Sequence, residues 1–189
     1  MTDDNETDDA PAGPGGLGGS AARQRERRLE KLDALRARGI DPYPVTYPRD
    51  HDVAQVRAQF GDLAAGATAD TVVHVAGRLM LIRDHGGLLF AQLKDESGTL
   101  QLFISRAAMG EQGFADAREL DIGDWVGAEG TILVTDSGEL SVATTAMRLL
   151  GKSLRPMATK GSTLTDPETR FRQRYLDLVL NPESRRVAD

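Results

Sequence analysis

Cysteine is absent from this 189-residue chain, so neither a disulfide framework nor a cysteine-ligated zinc can organise the fold. Aromatic residues make up only 5%. The core must therefore be aliphatic, and an aromatic placed on an outer face needs a reason. No apolar run approaches the ~20 residues of a membrane span, and the N-terminus is acidic where a secretory signal would be basic and then apolar. A soluble, cytoplasmic chain is the expectation. Histidine is scarce too: His51, His74 and His85 fall on separate stretches without ligand-like spacing. No metal site is expected, and no serine–histidine or paired-carboxylate arrangement suggests catalysis.

The formal net charge of −6 argues at first against a polyanionic partner. Five acids (Asp3, Asp4, Glu6, Asp8 and Asp9) lie in the first nine residues, however, and without them the chain is close to neutral. Local basic patches then decide what is attracted. Residues 1–22 are acidic and then rich in glycine and proline, a composition expected to stay disordered. The spacing Gly13-x-Gly15-x-x-Gly18 matches a dinucleotide fingerprint only formally, because no strand precedes it. Residues 23–66 are expected to be helical. In 23–38, Leu29, Leu32 and Leu35 form one narrow apolar stripe, and seven basic residues face three acidic ones. Gly39, Pro42 and Pro44 stop that helix. A shorter helix is expected over 51–64, with Val53, Val56, Phe60 and Leu63 on one face.

Strand grammar begins near Thr71. Strands are expected at 72–83, 88–95, 99–106, 124–135 and 139–150, with a helical insert over 107–120 between the third and fourth. Three strands, a helix and two strands is the order of the OB-fold, a five-stranded barrel that commonly binds oligonucleotides. The expected fold class is therefore mainly β with helices, and the barrel occupies 70–150. A five-stranded barrel of another topology is the rival. Residues 151–164 read as a linker, in which Gly151-Lys152-Ser153 lacks the upstream glycine of a phosphate-binding loop, Ala146 standing in its place. Residues 165–189 are helix-prone, with Thr165 or Asp166 as a cap before Pro167.

Alternation in the central hairpin separates two faces. Leu89, Ala91 and Leu93 share one side of the second strand, and Leu100, Leu102 and Ile104 one side of the third. On the other side, a 95–98 loop would bring Lys94 opposite Thr99, Gln92 opposite Gln101 and Phe90 opposite Phe103. An aromatic beside amides and a cation suits single-stranded nucleic acid, whose bases stack on the ring and hydrogen-bond the amide. The residues alone leave open the reading in which Phe90 and Phe103 are covered by the N-terminal helices or a partner.

Four stretches together resemble the class II lysine–tRNA ligases: Leu29 to Pro44, Val75 to Arg78 (VAGR), 90–104 (FAQLKDESGTLQLFI) and 170–187 (RFRQRYLDLVLNPESRRV). The resemblance implies an OB-fold that binds the tRNA anticodon. Carried over position by position, Phe90 falls where the family stacks an aromatic on the central uridine. Gln101 and Glu139 fall where it hydrogen-bonds that base, and Arg83 matches an arginine near the anticodon. Arg23, Arg25, Arg27 and Arg28 would add electrostatic contact with RNA. Ala143 departs from a family position that is often polar or histidine. The resemblance also implies that 165–189 begins a class II catalytic domain whose three motifs are absent from these residues, so the chain is expected to be inactive alone and to need no cofactor. ATP and Mg2+ are expected only with the catalytic domain. The family dimerises, and this stretch by itself is compatible with a monomer. An OB-fold adaptor for RNA or protein, without tRNA specificity, is the alternative.

Overall fold

The computed structural model describes residues 19–156 and 167–188. The chain divides into two units at Pro156. The expected disorder of 1–18, the linker from 157 onward and the cap at Thr165 or Asp166 lie outside the described residues.

In the first unit, helix α1 (Gly19–Ala37) starts ahead of Arg23, taking in four residues that the composition assigns to the tail. Leu32 is buried and Leu29 and Leu35 are half-buried, as the stripe requires. The chain turns at Gly39, whose φ of 73° favours a residue without a side chain. Helix α2 (Val53–Phe60) opens with a reciprocal capping box: Asp52 accepts from the Gln55 N–H while the Gln55 side chain accepts from the Asp52 N–H. Val53, Val56 and Phe60 enter the core, and Leu63 packs against it.

Five strands close into a barrel in the order β1-β2-β3-β5-β4. They are β1 (Thr68–Asp84), β2 (Leu88–Lys94), β3 (Thr99–Ser105), β4 (Trp125–Val134) and β5 (Leu140–Gly151), with helix α3 (Arg106–Arg118) between β3 and β4. The β3–β5 pair is parallel and the others are antiparallel. This is the OB-fold order, and the rival topology falls. Leu89, Ala91, Leu93, Leu100, Leu102 and Ile104 are all buried, so the hairpin turns its aliphatic face inward. Closure needs close backbone approach at Gly130, where an added Cβ would lie 2.1 Å from the Ala143 carbonyl oxygen. α3 breaks direction at Gly110, whose φ is 71°.

The supposed linker begins inside the barrel. Lys152 is buried, and its Nζ donates to Asp124 Oδ2 (2.8 Å) and to Asp121. Ser153 N donates to Asp124 Oδ1 (2.8 Å). Lys152 therefore closes the base of the barrel, and no ammonium is left there for a phosphate.

Asp50 gathers two of the three histidines on the outer face of β1 and β4. Its carboxylate is 2.6 Å from His51 Nδ1 and 2.8 Å from His74 Nδ1, and it accepts from the His74 N–H. His74 Nε2 lies 3.5 Å from Glu129. Burial pushes the Tyr47 phenol up to about 12, helped by the negative charge of Glu129 and Asp50 and opposed by Arg148. Burial works to raise the Asp50 carboxyl, but the hydrogen bonds from His51 and His74 outweigh it and hold the group below the usual carboxylate range. The hydrogen bond to Asp50 raises the His74 imidazole, with burial opposing and the charges of Asp50 and Glu129 assisting. A raised histidine stabilises the fold fully below its unfolded value of about 6.5, and this stabilisation is lost as pH rises through the folded value. Asp50 contributes above about 3.9 and loses its share as pH falls toward its depressed folded value. The melting temperature should therefore fall as pH rises from about 6.5 through the raised folded value, and His74→Ala should flatten that fall. A wild-type slope unchanged by the substitution would remove His74 from the account.

In the second unit, α4 (Pro167–Arg172), α5 (Arg174–Leu180) and α6 (Pro182–Ala188) surround Asp177. This buried carboxylate accepts from Arg170 Nε (2.9 Å) and Arg174 (2.8 Å), while Arg170 also donates to Ser184 Oγ (3.0 Å). Among the described residues no helix is long and apolar enough to cross a membrane.

Candidate nucleic-acid interface

The β2–β3 register is the one the alternation requires: Phe90 lies opposite Phe103, Gln92 opposite Gln101 and Lys94 opposite Thr99. Arg83 of β1 pairs with Phe90 of β2, and Gln101 of β3 pairs with Ser141 of β5. Glu139 sits just before β5, after the turn at Gly138 (φ 82°). Thr135 fixes it there, its N–H donating to the Glu139 carbonyl and its Oγ1 accepting from the Glu139 N–H, each at 3.0 Å. Three strands and one turn thus bring Arg83, Phe90, Gln101 and Glu139 to a single cleft of about 220 Å³, with Gln92 and Thr99 also on its wall.

The walls differ in chemistry. Phe90 is half-buried, and His85 and Phe103 meet its ring near-perpendicular, at centroid distances of 5.7 and 5.4 Å. Neither neighbour stacks on the ring. Phe103 meets the Phe90 ring edge to face and does not line the cleft. Arg83 is exposed at the mouth. Glu139 is half exposed, with an Arg57 nitrogen 4.0 Å from its carboxylate. The same guanidinium donates to the Thr99 carbonyl at 2.6 and 3.2 Å. The cleft therefore offers an aromatic surface, amide and carboxylate acceptors and a cation, which suits an unstacked base and its backbone.

Helix α2 and the β2–β3 turn are fastened together below this wall. Asp95 Oδ2 accepts from Val53 N (2.9 Å), and Oδ1 accepts from the N–H groups of Ser97 and Gly98. Ser97 Oγ accepts from Ala54 N. Strand β2 ends at Lys94 because Asp95 begins this Asx-type turn. The pattern Asp95-Glu96-Ser97-Gly98 carried that signal, and Asp52 to Gln55 carried the capping signal.

The arginines of α1 divide. Arg23, Arg25 and Arg27 are exposed. Arg28 corrects the expectation of an RNA contact: it is 8% exposed and donates to the carbonyls of Ser153 (2.9 Å), Arg155 (3.1 Å) and Ile122 (3.0 Å). A guanidinium buried against three acceptors joins α1 to the end of the barrel. Identity of charge hid this, since only packing distinguishes Arg28 from Arg27. Among the described residues no group of three or more metal-ligating side chains could hold a metal ion.

Residues 73–150 match the family described as OB-fold nucleic acid binding domain, so barrel and comparison define an OB-fold of the nucleic-acid-binding class. Beyond the barrel, the chain is homologous to lysine–tRNA ligases. It is 43% identical over 174 residues to the lysine–tRNA ligase of Thermosynechococcus vestitus, covering 89% of this chain and 34% of that protein. It is 46% identical over 168 residues to that of Xylella fastidiosa, covering 86% and 33%. It is also 41% identical over 177 residues to the lysylphosphatidylglycerol biosynthesis bifunctional protein LysX of Rhodococcus opacus, covering 93% of this chain and 15% of that one. The chain thus spans about a third of the length of the ligases it matches.

Proposed function

We propose that the barrel reads the anticodon of a lysine tRNA as a portion of a lysine–tRNA ligase. The observation that carries this is the single cleft shared by Arg83, Phe90, Gln101 and Glu139, residues that lie far apart in sequence. Phe90 stacks on the central base, Gln101 and Glu139 hydrogen-bond its edge, and Arg83 meets the adjoining backbone. The parent reaction is ATP-dependent attachment of lysine in the cytoplasm, with ATP and Mg2+ held outside the barrel and dimerisation a property of the parent. The likeness to the bifunctional protein supports a second reading of that parent, in which the same barrel serves a larger protein named for lysylphosphatidylglycerol biosynthesis.

The test is titration with an RNA hairpin whose loop carries UUU, and with an unrelated loop, at two salt concentrations. Preference for the UUU loop supports anticodon reading. Equal affinity leaves a generic RNA adaptor. Phosphate neutralisation is blind to sequence, so replacing Arg23, Arg25 and Arg27 with alanine should weaken both hairpins alike. The log–log salt slope should shrink by roughly 0.7 to 0.9 for each phosphate that is no longer neutralised. A weakening confined to the UUU hairpin would mean that α1 reads sequence.

A further inference from the structure

Ser141 lies beneath the cleft on β5, fully buried and paired with Gln101 across the parallel β3–β5 ladder. Its Oγ is 3.0 Å from the Glu139 carbonyl oxygen and 2.9 Å from Gln101 Nε2. A hydroxyl has one proton, and a carbonyl can only accept. The Ser141 hydroxyl donates to the Glu139 carbonyl, which also accepts from the Thr135 N–H, and it accepts from Gln101. Gln101 turns its NH2 group to Ser141, an orientation in which all three groups are satisfied, whereas the reversed amide would compete with the Glu139 carbonyl for the one hydroxyl proton. No buried side-chain nitrogen or oxygen among the described residues lacks a partner, so the Gln101 Oε1, for which no partner is found, is open to solvent.

We propose that Ser141 is a positioning residue that fixes the direction of the Gln101 amide, and so makes the cleft select a pyrimidine carrying a ring N–H over one carrying a bare ring nitrogen. The inference rests on the anticodon reading above. With Oε1 outward, Gln101 joins the Glu139 carboxylate in offering acceptors. Uracil presents N3–H to them. Cytosine presents an N3 lone pair there, so an acceptor that faces N3 gains no hydrogen bond, and the 4-amino group is the only donor left on that edge. An amide free to turn would accommodate either base.

The experiment is fluorescence titration of the chain with three hairpins that differ only at the central loop position: uridine, cytidine and 3-methyluridine, in which the N3 proton is replaced. Wild type should prefer uridine over each of the others by roughly tenfold, the scale of one hydrogen bond to a base edge. Ser141→Ala should bind the uridine hairpin within about threefold of wild type but lose most of the preference over cytidine, to roughly threefold, the remainder coming from the Glu139 carboxylate, which accepts in either protein. Ser141→Thr, which keeps the hydroxyl, should retain the full preference. A Ser141→Ala protein that still prefers uridine as wild type does overturns the proposal while leaving anticodon reading intact. A wild type that fails to prefer the UUU loop over an unrelated one overturns both. The wild-type protein gives a further measurement that needs no variant: the Gln101 side-chain amide protons should exchange slowly and show nuclear Overhauser effects to the Ser141 β protons. Fast exchange without those effects would refute the relay even if Ser141→Ala failed to fold.

Discussion

Replacing Phe90 with alanine is expected to weaken binding of the UUU hairpin by roughly tenfold to a hundredfold, the equivalent of about 1–3 kcal/mol of base–aromatic stacking. The loss should be much smaller for an RNA held only through its phosphates. The ring is half-buried and its two aromatic neighbours meet it edge to face, so an incoming base has a surface to lie on. Truncation also removes those two ring–ring interactions, each worth about 0.5–1.5 kcal/mol. Thermal unfolding should stay cooperative, with about 1–3 kcal/mol lost from those two contacts, below most of the 3–5 kcal/mol range typical of a fully buried phenylalanine. Two results would count against the site. A variant that no longer folds would make Phe90 a core residue, and a folded variant that binds UUU like wild type would separate the ring from RNA. Circular dichroism melting and fluorescence anisotropy on the same preparation distinguish them.

The legibility of this site follows from the range of the interactions that build it. Alternation is local, so the outward set of Phe90, Gln92, Gln101 and Phe103 could be read from two seven-residue strands, and the turn between them fixed their register. The order of elements was equally local, and it led to the closed barrel. What could not be read was anything set by pairing between distant strands. Ser141 meets Gln101 only because β3 and β5 run parallel, and no short stretch of sequence encodes that register. Arg28 and Lys152 show the same limit from the other side. Each is a cation in a basic or polar stretch, and each is buried against acceptors supplied from elsewhere in the chain. Charge composition treats such residues as surface, and only the packed structure removes them from it. The likeness to lysine–tRNA ligases supplied roles for Arg83 and Glu139 that the residues themselves did not declare; the fold then brought both to the cleft of Phe90.

The largest effect on stability is expected at Asp124, which does not line that cleft. Its carboxylate is completely buried and accepts from Lys152 Nζ (2.8 Å), Ser153 N (2.8 Å) and Asp121 N (2.9 Å). The Lys152 side chain is 1% exposed, so its ammonium depends on Asp124 and on the partly exposed Asp121. Asp124→Ala takes away one of the two anions that hold the buried Lys152 ammonium, leaves it the partly exposed Asp121 alone, and strands two backbone donors. Breaking a buried pair in this way costs about 3–5 kcal/mol, a large share of the roughly 5–15 kcal/mol that holds a typical domain together. Urea unfolding followed by the fluorescence of Trp125, the only tryptophan, should report a loss of unfolding free energy of that size, seen as a lower midpoint. Removing both charges should be milder than the sum of the single losses, because a buried pair replaced by apolar side chains leaves no orphaned ion. Asp124→Leu combined with Lys152→Met is the double variant for that measurement. The segment held by Asp124 also supplies the Ser153 carbonyl that receives Arg28, so loosening it should loosen α1 and reduce the electrostatic share of RNA affinity. A shift below about 1 kcal/mol for Asp124→Ala would mean that water reaches the pair, and that the base of the barrel is more open than its packing describes.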